Sequence, residues 1–165
     1  MITTNETKIT KVAANKLAVT REFDAPLELV WRAWTESDLL DQWWAPKPWK
    51  AHTKSMDFRD GGRMLYYMEG PDGTRHWCRF DYEKIEPLKS FSGEDGFCDE
   101  NGNVNQEMPE MHWNVKFSHA GRGTLVQVDI TFASEADLEK IVEMGFKEGF
   151  TAAHGNLDEL LSKES

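Results

Sequence analysis

The feature that most constrains the fold is the change of apolar spacing near the end of the chain. Between residues 49 and 133, apolar residues recur at about every second position between turn signals, as in strands that are buried on one face. After Ser134 the spacing changes to three and four residues, which predicts a long helix. A sheet with one apolar face can pack against one long amphipathic helix, and each element then buries the apolar surface of the other. This order predicts an α+β domain with an antiparallel sheet of about six or seven strands around a long C-terminal helix.

The start of the domain adds a second constraint. Residues 16–24 alternate as a strand, and Pro26 then suits the first turn of a helix. Apolar residues follow at helical spacing through Trp34, and a cap-like polar segment over 35–38 precedes another short apolar stretch. The sequence therefore predicts two short helices directly after the first strand.

The C-terminal helix carries a start signal and two candidate breaks. Ser134 and Asp137 have the spacing of a capping box, which predicts the first turn. Gly145 and Gly149 lie inside the apolar repeat, where each glycine is unfavourable for a helix. Two interpretations remain open: the segment breaks into two helices near Gly145, or the glycines allow close approach to the sheet.

The first 15 residues are polar and aperiodic. We expect a flexible leader over residues 1–15, or a short edge element within it. A single domain is predicted over residues 16–163, because this length gives a core of ordinary size.

The charge balance excludes several classes of partner. The formal net charge is −10 and the sequence has no run of lysines and arginines, so we expect neither nucleic-acid nor membrane binding. Cys78 and Cys98 do not form a CxxC motif, and reduced thiols are expected. The sequence shows no secretory signal and no long apolar run, which favours a cytoplasmic protein.

A series of short motifs spans most of the chain in a fixed order. They are VTREFDAP at 19–26, VWRAWT at 30–35, LLDQWWAP at 39–46, DGGR at 60–63, PDG at 71–73, IEP at 85–87, GF at 149–150 and LDEL at 157–160. Together they resemble the activator of heat-shock-protein ATPase homologue family, within the START-like (SRPBCC) superfamily. The resemblance implies a helix-grip fold and a hydrophobic cavity. It implies no shared catalytic residues.

Strand parity and helical spacing predict which side chains would line such a cavity. Methionine side chains adapt to varied ligands, and apolar walls with few polar groups are typical of small-molecule sites. The same residues could instead fill a solid core. The predicted lining residues are Trp49, Met64, Tyr66, Met68, His76, Cys78, Phe80, Met111, Trp113, Val115, Phe146, Phe150 and His154.

The remaining candidate sites are weaker. Trp31 and Trp34 are expected to fix the short helices to the sheet, while Trp43, Trp44 and Trp49 could either do the same or border the cavity. The five histidines show no metal-ligand spacing, so no metal site is expected. The acidic pair at 94–95 lies near the end of a weak strand predicted over 88–97, in or beside a probable loop, and is expected to be solvated. No catalytic residue and no cofactor are predicted.

These patterns favour a protein that binds a small lipophilic or aromatic molecule without catalysis. The first alternative is an enzyme resembling cyclases or dehydratases of this superfamily, which predicts polar groups such as His76, Tyr66 or His154 inside the cavity. The second is a co-chaperone-like interaction module with a chaperone partner, which predicts an exposed apolar patch.

Overall fold

The computed structural model describes residues 6–164, which form eight strands and four helices. The strands are β1 (Lys8–Ala13), β2 (Lys16–Phe23), β3 (Lys50–Met56), β4 (Arg63–Glu69), β5 (Arg75–Glu86), β6 (Ser90–Cys98), β7 (Met111–Ala120) and β8 (Gly123–Phe132). The helices are α1 (Leu27–Thr35), α2 (Ser37–Trp43), α3 (Glu135–Glu143) and α4 (Phe146–Glu164). The strands form one open antiparallel sheet in the order β1-β2-β8-β7-β6-β5-β4-β3. The predicted α+β, helix-grip class is confirmed.

The inner face of the sheet follows the alternation in the sequence. On β7, Trp113 and Val115 are buried, and they lie opposite Ile130 and Val128 on β8. Asp129, which lies between Val128 and Ile130 on β8, points outward and is exposed. The apolar face of these strands thus forms the floor of the core.

The two short helices connect β2 to β3, the strand at the far edge of the sheet. Their tryptophans hold them together: the Trp43 indole N–H donates to the Ala33 carbonyl at 2.9 Å. The rings of Trp34 and Trp43 meet edge to face with centroids 4.9 Å apart. Trp31 and Trp34 are buried, as their expected structural role requires.

The C-terminal segment is two helices rather than one. Ser134 caps α3, since its hydroxyl accepts from the Asp137 backbone N–H at 3.2 Å. Gly145 has a φ of +95°, which ends α3 and lets the chain restart as α4. Helix α4 lies over the inner face of the sheet, with Phe150 packed edge to face on Trp113.

One expectation about the sheet differs from the structure. The sheet has eight strands rather than six or seven, because residues 8–13 pair with β2 as an edge strand. This strand matches the short edge element that was the alternative to a flexible leader, and residues 1–5 lie outside the described residues. Residues 94–95 lie within β6, in line with the weak strand predicted over 88–97, but Asp95 is buried rather than solvated.

Candidate functional site

A cavity of about 360 Å³ lies between the inner face of β4–β7 and the junction of α3 with α4. Its walls are largely aromatic and apolar. They are formed by Trp44, Pro46, Trp49, Tyr66, Met68, His76, Cys78, Asp95, Gly96, Phe97, Met111, Trp113, Ile141, Met144, Gly145, Phe146, Gly149 and Phe150. The break at Gly145 places the end of α3 and the first turn of α4 at the cavity. The helix break, which was one of two interpretations of the sequence, is therefore part of the site.

Most of the side chains that the sequence predicted for the lining lie at this cavity. Those that reach its wall are Trp49, Tyr66, Met68, His76, Cys78, Met111, Trp113, Phe146 and Phe150. Cross-strand pairing explains the grouping, since Tyr66 lies opposite Cys78 and Met68 opposite His76. What these residues bind stays a prediction.

Three of the predicted lining residues lie deeper in the fold. Met64, Phe80 and Val115 border a second space of only about 30 Å³. This volume is roughly the share of one water molecule in the liquid. These three side chains therefore pack the core beyond the main cavity.

His154 lies outside both spaces. It is buried one helical turn beyond Phe150, and the two ring centroids are 4.2 Å apart. Its Nδ1 is 2.8 Å from the Thr7 hydroxyl. Burial, with a smaller effect of the Arg21 charge, lowers its pKa to about 3, so the ring is neutral. The helical spacing placed His154 on the inward face of α4, but the cavity ends one turn earlier.

A short polar strip crosses the apolar wall. The Trp44 indole N–H donates to the Tyr66 hydroxyl at 3.0 Å. Burial raises the pKa of Tyr66 well above its ordinary value, and nearby Cys78 and Asp95 raise it further. Burial also raises the pKa of the Cys78 thiol, so Cys78 is not an activated nucleophile.

Asp95 is the cavity residue that sequence reasoning missed most clearly. Its side chain is 9% exposed and lies on the inward face of β6, opposite Phe80 on one side and Met111 on the other. Burial first, and then the charge of Glu94, raise the pKa of Asp95 to about 7. The inward alternation of Phe91, Gly93 and Asp95 was the signal available in the sequence.

The histidines do not converge on the cavity. His76 lies at its edge, with its ring 5.3 Å from that of Trp49. Within the described residues, one group has the spacing of metal ligands, in which His112 lies with Glu83 and Glu94, and the ligand atoms are within 4.8 Å of one another. The His112 Nε2 is already 2.6 Å from the Glu83 carboxylate.

The Activator of Hsp90 ATPase homolog 1-like protein family matches residues 24–162 of this chain. The chain belongs to this family. The match begins at the end of β2 and runs to the last turns of α4, so it includes every element that borders the cavity. Membership supports a START-like (SRPBCC) protein. Ligand binding and a co-chaperone-like role are both consistent with membership, which specifies no ligand.

Solved structures of related proteins share this architecture. Protein Ms6760 from Mycobacterium smegmatis is 32% identical, with 93% of this chain and 97% of that chain aligned at a TM-score of 0.84. A protein from Arthrobacter aurescens, solved in solution, is 34% identical, with 94% and 91% aligned at a TM-score of 0.88. A comparison with curated proteins gives no match. Among the described helices, none has the length and apolar character needed to cross a bilayer.

Proposed function

We propose that the protein binds a small lipophilic or aromatic molecule in the cavity between the sheet and the α3–α4 junction, without transforming it. The observation that supports this proposal is the cavity itself, which has about 360 Å³ and mainly aromatic and thioether walls. Small-molecule pockets usually fall between roughly 300 and 1,000 Å³ and have such walls. At ~30 Å³ for each water-sized group, the cavity has room for about a dozen non-hydrogen atoms.

The rings around the cavity are arranged to contact a flat guest. Trp113 packs edge to face on Phe150 and Phe146, with centroids 5.6 and 6.3 Å apart. The Trp44 ring lies 6.0 Å from those of Trp113 and Phe150. Aromatic side chains prefer such edge and offset contacts, and an aromatic guest would extend the same packing.

Titration with 1-ethylnaphthalene tests the proposal. Binding is followed by NMR through the indole N–H signals of Trp44, Trp49 and Trp113, which all border the cavity. We expect shifts at these signals and a saturable curve. Changes in NMR signals throughout the protein that do not saturate with added guest would contradict a defined site.

A pair of variants separates cavity binding from surface adsorption. Met68→Trp places a larger side chain on the cavity wall, whereas Met108→Trp makes the same change in the loop before β7, away from the cavity. We expect Met68→Trp to weaken binding by ~tenfold, about 1.4 kcal/mol, and Met108→Trp to leave it unchanged. Equal affinities in the two variants would contradict the proposed site.

An enzyme acting in the same cavity is a second candidate, and Asp95 is the observation that favours it. A carboxyl group with a pKa of about 7 can give or take a proton near neutral pH. Native mass spectrometry of protein purified from its own host distinguishes the two candidates. If the protein is an enzyme, the molecule retained by Asp95→Asn should be converted to a product of different mass when it is added to wild type. A binding protein should return the same molecule unchanged.

The co-chaperone-like alternative lacks a comparable observation in the described part of the chain. The large apolar side chains exposed there are Val12, Leu88 and Met144. They lie on β1, on the turn between β5 and β6, and at the α3–α4 junction. A docking surface requires a contiguous apolar patch, and these residues belong to separate elements.

A further inference from the structure

The cavity contains one acidic group whose hydrogen-bonding capacity is largely unused. Asp95 points from β6 into an apolar wall and is 9% exposed. Among the described residues, its one hydrogen-bond donor is the backbone N–H of Gly96. An ionised carboxylate can accept about four hydrogen bonds, so most of this capacity faces the cavity.

The groups around Asp95 offer it no positive charge. Cys78 on β5 and Tyr66 on β4 are the polar neighbours inside the cavity, and both are neutral at physiological pH because burial raises their pKa values. Glu94, the next residue on β6, is a carboxyl group and raises the pKa of Asp95 further. His76 lies at the cavity edge.

The helices that close the cavity above Asp95 contribute apolar side chains. Ile141 of α3 and Phe146 and Phe150 of α4 form that wall. Arg63 on β4 and Arg79 on β5 point to the other face of the sheet, where both bind Asp81. A buried carboxylate without a cation is costly, and an incoming cation would remove that cost.

We propose that the cavity selects lipophilic molecules that carry a basic nitrogen, and that the Asp95 carboxylate binds this nitrogen. This inference rests on the proposed function, because it specifies the chemistry of the guest in the same cavity. The aromatic rings bind the apolar body, and Asp95 accepts hydrogen bonds from the protonated amine. The chain's net charge of −10 also attracts cations over longer distances.

The experiment compares two guests of nearly the same shape, 1-naphthylmethylamine and 1-ethylnaphthalene. At pH 8 the amine is largely protonated, and the Asp95 carboxyl is mostly ionised, since its pKa is about 7. We expect the amine to bind at least ~tenfold more tightly than the hydrocarbon, since a charge-assisted hydrogen bond adds to the same apolar contact. The affinities are measured by NMR titration at fixed ionic strength.

Asp95→Asn and Glu94→Gln form a matched pair of variants. Each removes one carboxylate from β6, but Asp95 faces the cavity, whereas Glu94 lies opposite His112 and Asp81 on the outer face. We expect Asp95→Asn to abolish the preference for the amine while it keeps the affinity for 1-ethylnaphthalene. Glu94→Gln should retain the preference within ~twofold, because its carboxyl lies outside the cavity and its loss only lowers the pKa of Asp95, which is already mostly ionised at pH 8.

The pH dependence of the wild type provides a measurement that needs no variant. As the pH falls from 8 to 5, Asp95 takes up a proton and the preference for the amine should decline, with the hydrocarbon affinity unchanged. If neither guest binds, the proposed function itself fails. If the hydrocarbon binds but the amine is not preferred, the inference about Asp95 is overturned. The same holds if the preference survives in Asp95→Asn. In both cases the proposed binding of a lipophilic molecule in the cavity remains supported.

Discussion

His154 is a buried histidine whose protonation opposes folding. Its ring packs against Phe150 and Phe23, and burial lowers its pKa from about 6.5 to about 3. In the unfolded chain the imidazole takes a proton below pH 6.5, whereas in the folded protein it stays neutral down to about pH 3. The stability that this difference supplies is therefore complete above pH 6.5 and is lost as the pH falls toward 3.

We expect His154→Gln to remove this acid sensitivity. The free-energy difference of unfolding between wild type and His154→Gln should shrink by up to about 3 kcal/mol between pH 7 and pH 4. Urea unfolding monitored by tryptophan fluorescence at several pH values gives this difference. His119→Gln, at an exposed position near the end of β7, is the control. Parallel curves for wild type and His154→Gln would contradict the assignment.

Single residues also show which side-chain positions the sequence predicts and which it does not. The shared face of Tyr66 and Met68 on β4 followed from the two-residue period of a strand, although apolar residues occupy both faces there. Asp95 was expected to be solvated together with Glu94, because the sequence does not show which way an acidic side chain faces in a weakly predicted strand. Pairing with β5 and β7 holds this segment as a strand, and such tertiary context outweighs weak strand propensity.

At the scale of elements, the break between α3 and α4 shapes the cavity. Gly145 has a φ of +95° and borders the cavity, whereas Gly155 lies at an exposed position within α4 with open space around its α-carbon. A side chain at Gly145 would be strained by the backbone conformation, even though nothing blocks it sterically. A side chain at Gly155 would instead favour the helix.

The same substitution should consequently have opposite effects at these two glycines. We expect Gly145→Ala to lower the free energy of unfolding by ~1–2 kcal/mol and Gly155→Ala to raise it by about 0.5–1 kcal/mol. Both are measured by chemical denaturation at pH 7. A gain in stability from Gly145→Ala would show that the chain can pass from α3 to α4 without the left-handed residue.

Elements differ in how well the sequence reveals them, and burial is the reason. Strands β7 and β8 are buried mainly on one face, so apolar and polar residues alternate along them. Strand β1 is exposed on nearly every residue, so its composition carries no such pattern, and only its pairing with β2 defines it. The spacing around Gly145 left two interpretations open, because the sequence does not show whether this glycine adopts a positive φ.

At the scale of the whole molecule, the order of elements was predictable but the open volume was not. Most residues of the wall are of types that also fill solid cores, as Met64, Phe80 and Val115 do here. Whether side chains meet or leave a space depends on the distance between α4 and the sheet. Trp34 of α1 lies between them, with its ring centroid 6.0 Å from that of Phe117 on β7 and 6.3 Å from that of Phe150 on α4. The distance is a property of the assembled fold and not of any segment.

One buried ion pair joins the beginning of the fold to its end. Arg21 on β2 is 5% exposed and donates through Nη2 to Asp158 on α4, 137 residues away. Its Nε and Nη1 have no partner among the described residues, and its guanidinium lies 5.2 Å from the centre of the Phe23 ring. Without Asp158, Arg21 would be a buried cation with no counter-charge, which is strongly destabilising.

The neighbouring residue provides the control. Glu159 pairs with Lys47, but both side chains are more than 60% exposed, so water screens the pair and its contribution is small. We expect Asp158→Asn to lower the free energy of unfolding by ~2–3 kcal/mol, toward the lower end for a broken buried pair because Asp158 itself is partly exposed. Glu159→Gln should cost less than about 0.5 kcal/mol. Hydrogen exchange should show faster opening of both β2 and α4 in Asp158→Asn, since the pair couples these two elements. Equal losses in the two variants, or an effect confined to α4, would show that the ends of the chain are held together by apolar packing alone.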